Sequence, residues 1–174
     1  DFRIAVRKAL SEIRSLNYSY NPSLTPQIVY PEVEKTNQTE ETLKNYLSSN
    51  TLDPIEGIYK SYQSDQLSYY KFAIIKSEDK YKAIIIESDY KQWKTGEVKA
   101  VFEQSSMKGF YSVKWFLGDK TAYQTFGNMD NEALLSIEFK DQKSGEKRQD
   151  KFIKMFPAAS NDISFNKKDN LKSS

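Results

Sequence analysis

Neither histidine nor cysteine occurs among the 174 residues. That removes the Ser-His-Asp triad, the cysteine nucleophile, the His/Cys metal site and the disulfide. The carboxylates Glu97, Glu103, Asp130, Glu132 and Glu138 remain as acid–base candidates. Glycosidase chemistry needs two carboxyls at a set separation across a cleft, and nothing in this spacing converges on such a pair. Asp130-Asn131-Glu132 lacks the alternating oxygens and the glycine of a calcium loop. It reads as solvated loop charge. No catalytic residue, metal ligand or cofactor is expected.

Aromatic side chains offer more. The chain holds 12 Tyr, 10 Phe and 2 Trp. Tyr70-Phe72-Ile74, Tyr111-Val113-Trp115 and Leu135-Ile137-Phe139 alternate, so each trio shares one face of a strand. In an eight-stranded barrel such side chains either fill the interior or line a cavity for one small ligand. The expected ligand wall is Tyr59, Tyr70, Phe72, Tyr111, Trp115, Tyr123 and Phe139. Trp93 sits in the connection Asp89–Thr95, the one with room to be a lid, and is the expected partner surface.

Strand-like runs separated by turn residues must position these side chains. They are Glu56–Tyr62, Tyr69–Ser77, Tyr81–Ser88, Glu97–Gln104, Phe110–Leu117, Thr121–Phe126, Leu134–Lys140 and Gln149–Phe156. Gly118-Asp119 is a tight-hairpin signal, while Gly127-Asn128 and Ser144-Gly145 read as loops. The connections are too short for crossover helices, so neighbours should be antiparallel. The fold expected is an eight-stranded antiparallel barrel preceded by an N-terminal helix and an extended linker.

Ahead of the barrel, Phe2, Val6, Ala9, Leu10, Ile13 and Leu16 recur at helical spacing. Pro22, Pro26 and Pro31 mark an extended stretch. Thr39 is an N-cap candidate for a short helix that would bury Leu43, Tyr46 and Leu47. The expected organisation is a helical arm and linker over 1–52, a barrel over 53–157 and a flexible tail over 158–174.

Lys+Arg number 26 and Asp+Glu 24, a net charge of +2. That is too even to suggest nucleic acid. No apolar run reaches the length of a membrane span. The chain opens inside a helical pattern without an initiator Met, as expected of a piece of a longer protein.

Gly57-Ile58-Tyr59 resembles the Gly-x-aromatic turn that opens the barrel of lipocalins and fatty-acid-binding proteins, the calycin-type barrels, with Tyr59 in the usual place of Trp. In lipocalins an arginine near the end of the last strand packs over that aromatic. The resemblance makes Tyr59–Arg148 the candidate barrel-closing pair, Arg148 being the last arginine of the chain. Asp53-Pro54-Ile55-Glu56-Gly57-Ile58-Tyr59, Trp93-Lys94-Thr95-Gly96-Glu97-Val98-Lys99-Ala100 and Lys151-Phe152-Ile153-Lys154-Met155-Phe156-Pro157 also resemble an uncharacterised β-domain of exported Bacteroidetes proteins, sometimes found beside trypsin-like peptidases. That resemblance implies a non-catalytic appendage, periplasmic or at the cell surface. Together these readings lead to a non-enzymatic module that binds a small apolar or amphipathic ligand or a partner polypeptide. The alternative is a structural spacer with a filled core, packed on a catalytic domain.

Overall fold

A computed structural model describes residues 2–15, 31–62, 69–141 and 144–157. Two helices, α1 (Phe2–Ser15) and α2 (Glu40–Ser49), precede the strands β1 (Gly57–Tyr62), β2 (Tyr70–Ser77), β3 (Lys80–Ser88), β4 (Val98–Gln104), β5 (Phe110–Phe116), β6 (Ala122–Asp130), β7 (Leu134–Lys140) and β8 (Lys147–Phe156). Each strand pairs antiparallel with the next, and β8 returns to β1, so the eight strands close into a barrel. The expected fold class is the observed one. No helix of the described residues is long and apolar enough to cross a membrane.

Alternation decides which side chains go inside. β5 repeats exposed and buried positions residue by residue, with Tyr111, Val113 and Trp115 inward. They join Tyr59, Phe72, Ile74, Phe102, Leu135, Ile137, Phe139 and Phe152 in one interior cluster. β6 runs on to Asp130, past the loop expected at Gly127-Asn128. Gly127 serves the interior, not a turn. A Cβ there would come within 2.8 Å of Ile137 Cδ1 and 3.2 Å of Val113 Cγ2. The turn falls later, where Asn131 and Glu132 take φ values of 48° and 56°.

The outer face of β1–β3 is apolar as well, which strict alternation does not predict. Ile58, Ala73, Ile84 and Ile86 form a second buried cluster there with Leu43 and Leu47 of α2. Thr39 caps α2 and exchanges hydrogen bonds with Thr42 in a capping box. Glu56, 2% exposed, ties the helix down. Its carboxylate accepts from the Tyr46 hydroxyl and from the backbone N–H groups of Asp53 and Lys76, at 2.8, 2.9 and 2.8 Å. Ahead of α2 the chain also lies against β4, through a bridge between Lys35 and Glu97. The described part of the arm from residue 31 onward therefore shares the barrel's structure.

In α1 the described side chains, Phe2 to Lys8, are all exposed. Leu16, most of the extended stretch and the tail lie outside the described residues.

Truncating Leu43 to Ala should destabilise the protein by about 2–5 kcal/mol in denaturant unfolding, as for a fully buried leucine. A change below about 0.5 kcal/mol, the range of ordinary surface substitutions, would mean that α2 does not share the barrel's core.

Candidate ligand-binding site

The barrel has two ends. The upper end carries the β3–β4, β5–β6 and β7–β8 connections. The lower end carries the approach to β1 and the β4–β5 and β6–β7 turns. Most of the expected wall residues form a single column of rings between them. Tyr59 stacks on Phe72 at 5.9 Å, Phe72 meets Trp115 edge-on at 6.2 Å, Trp115 meets Phe139 at 5.7 Å, and Phe139 stacks on Tyr123 at 5.8 Å. Phe152 wedges in beside Phe72 and Trp115 at 5.0 and 5.7 Å. Tyr70 touches Trp115 at 6.5 Å. Tyr111 stands off the column, near the lower end, against Tyr81 and Phe102 at 6.1 and 6.4 Å. These residues are inward, as alternation requires, and they pack on one another.

Above the column a hollow of about 800 Å³ opens at the upper end. Leu117, Tyr123 and Phe139 give it an apolar wall, and Lys140, Lys147, Arg148, Asp141 and Glu146 a charged rim. The Tyr123 hydroxyl accepts from the Lys140 N–H at 3.1 Å. The Arg148 guanidinium lies 5.6 Å from the Phe139 ring centre, and its Nε is 2.9 Å from Asp150 Oδ1. That geometry misses hydrogen-bond alignment and leaves the buried oxygen without a partner of that kind.

The expected Tyr59–Arg148 pair does not form. In the β7–β8 ladder Arg148 stands opposite Phe139, at the upper end, whereas Tyr59 stands opposite Lys154. Lys154 lies over Tyr59 instead. Its Nζ lies 5.7 Å from the Tyr59 ring centre and donates to the Pro54 carbonyl at 2.5 Å. Burial pushes its pKa down, with Glu132 and Glu56 opposing.

Trp93 is likewise not a partner surface. It is 5% exposed and belongs to the interior cluster. Its connection is pinned by a nearly buried ion pair, Lys120 to Glu97 at 2.7 Å, and Glu97 also accepts the Lys94 N–H at 2.9 Å. The connection is a plug, not a lid.

Beneath Trp93 lies a residue that sequence reasoning missed. The β3–β4 register shifts so that Ala83 faces Ala100 and Ile84 faces Val98, leaving Lys99 as an extra residue. Such a bulge can re-aim a side chain. Lys99 is 1% exposed. Its ammonium lies 4.1, 4.5 and 5.0 Å from the ring centres of Trp93, Tyr70 and Trp115, and it donates to the Phe116 carbonyl at 2.6 Å. Burial lowers its pKa to about 7, against a pull from Asp150 in the other direction. The ring faces also favour the charged form.

No family model matches this chain, and no curated protein does. Among solved structures the chain is similar to protein HP1028 of Helicobacter pylori, described as belonging to the lipocalin family. The identity is 13%, the coverage 60% of this chain and 84% of that one, and the TM-score 0.46. A likeness this slight carries no argument about function. The eight-strand closure stands on the ladders described above.

Lys99 should leave a pH signature. An unfolded lysine holds its proton up to a pKa of about 10.4, while folded Lys99 loses it near 7. Between those values the unfolded state binds more protons, so stability rises with pH, by up to about 1.4 kcal/mol per unit. Lys99→Met should remove that slope between pH 7 and about 9, below the range where an ordinary tyrosine ionises. Parallel pH profiles for wild type and variant would show that Lys99 keeps an ordinary pKa.

Proposed function

We propose that the chain is a non-enzymatic binding module whose upper mouth takes a small amphipathic ligand. The hollow of about 800 Å³ carries this reading. Its volume falls in the range of small-molecule pockets, about 300–1,000 Å³. The stacked Tyr123–Phe139 pair offers a flat apolar floor, and Leu117 extends it. Lys140, Lys147 and Arg148 at the rim would meet a polar or anionic head group. The ligand's apolar part rests on the top of the ring column and does not run down the barrel axis. Tyr123, Phe139 and Arg148 are then the contact residues, while Tyr59, Phe72 and Trp115 support the floor from below.

A second reading, the structural spacer, draws on the same column. Rings packed on one another from Tyr59 to Tyr123 are what a filled barrel needs. Any partner polypeptide would then meet the outer wall, where Phe110 and Phe126 are 46% and 70% exposed.

Titration with anilinonaphthalene sulfonate, an amphipathic anionic fluorophore, separates the two. The folded protein, verified by cooperative unfolding, should bind it with micromolar affinity. Phe139→Ala should weaken binding at least tenfold, about 1.4 kcal/mol. Phe72→Ala, deeper in the column, should lower stability by about 3–5 kcal/mol and change affinity less than Phe139→Ala. A folded protein that leaves the probe free would favour the spacer.

A further inference from the structure

The lower end holds a second hollow, of about 280 Å³, between the approach to β1 and the β4–β5 and β6–β7 turns. It lies across the ring column from the upper mouth. We propose that it is a separate site for a small neutral polyhydroxylated ligand, of the size and chemistry of a single sugar ring.

The charges argue for neutrality. Asp53 and Glu132 contribute two carboxylates to the lining, and Lys108 one ammonium. Asp53 is already matched by Lys76, whose Nζ lies 2.8 Å from Oδ2. Lys108 remains to set against Glu132. The hollow therefore presents no surplus charge to draw an ion.

The hydrogen-bonding groups argue for hydroxyls. Tyr111 is 3% exposed and lines the hollow, yet its hydroxyl has no hydrogen-bond partner among the described residues. The hydroxyl is not sealed off; it opens onto the hollow, where a ligand hydroxyl can pair with it, and burial, together with the Asp53 charge, raises its pKa. Tyr81, beside it, donates to Asp53 Oδ2 at 2.8 Å and keeps its acceptor capacity. Asn131 adds an amide with both donor and acceptor. The wall thus offers both donors and acceptors, as a ligand bearing several hydroxyls requires. The Tyr81 and Tyr111 rings and Met129 supply the apolar surface on which the C–H face of a sugar ring can rest. At about 280 Å³ the volume falls just under the usual range of ligand pockets, about 300–1,000 Å³, which limits the ligand to a single small ring.

The test is titration of the isotope-labelled full chain with D-glucose, D-galactose and N-acetylglucosamine, read by amide shifts. Saturable millimolar shifts should appear at Gly109, Tyr111, Met129 and Asn131. Tyr111→Phe keeps the ring and removes the hydroxyl. It should weaken sugar binding at least tenfold while leaving the unfolding midpoint unchanged or higher. The proposal fails if none of the sugars shifts these residues in folded wild type. It also fails if Tyr111→Phe binds as tightly as wild type, or if tetramethylammonium takes the site and the sugars do not. None of these three results bears on the upper mouth, since probe binding there is read at other residues.

Discussion

Closure of β1 onto β8 is the constraint from which the rest follows. A closed sheet has no free edge, and every inward side chain must share one enclosed space. With eight strands that space is about wide enough for side chains to fill. The chain fills it with large rings, one above another, and makes room with glycine at Gly127. Register shifts in the β1–β8, β2–β3 and β3–β4 ladders bend the wall. The same strands β1–β3 carry α2 on their outer face, so the wall there is buried on both sides.

Closure also decides which charges matter. Pairs such as Lys80–Glu103 and Lys147–Glu138 are largely exposed and contribute little to stability. Lys99 and the Lys120–Glu97 pair lie under the upper plug, where water is excluded. A lysine held among rings with one carbonyl partner is stabilised less than it is in water. The molecule answers by lowering its pKa and stacking ring faces on it. At the lower end Lys154 over Tyr59 is a milder version of the same arrangement.

The strands and the inward aromatics were legible in the sequence wherever alternation is regular. Tyr111-Val113-Trp115 and Leu135-Ile137-Phe139 point where period two says they should. Alternation fails where its premise fails. Lys99 sits in a bulge, an extra residue that no spacing announces. Arg148 and Tyr59 lie at opposite ends because register, not residue type, decides who meets whom. One face of β8 carries Arg148 at the rim and Asp150, Phe152 and Lys154 further in, a mixed pattern without an apolar period. Trp93 sits in a connection whose length suggests a lid, and nothing in the spacing shows that its ring turns inward. The Lys120–Glu97 pair that folds it inward is a tertiary contact. α2 was visible from its cap and its leucines, but the apolar outer face it covers reads as continuous strand.

The ring column closes the barrel's middle, and the space that remains lies at its two ends. The most direct measurement is an amide and aromatic shift map of the protein titrated with anilinonaphthalene sulfonate. Perturbations are expected at Leu117, Tyr123, Phe139 and Arg148, with Phe72 and Phe102 unmoved. Shifts spread along Phe72, Phe102 and Phe152, or intermolecular contacts from the probe to those rings, would mean that the column parts and the ligand enters the interior.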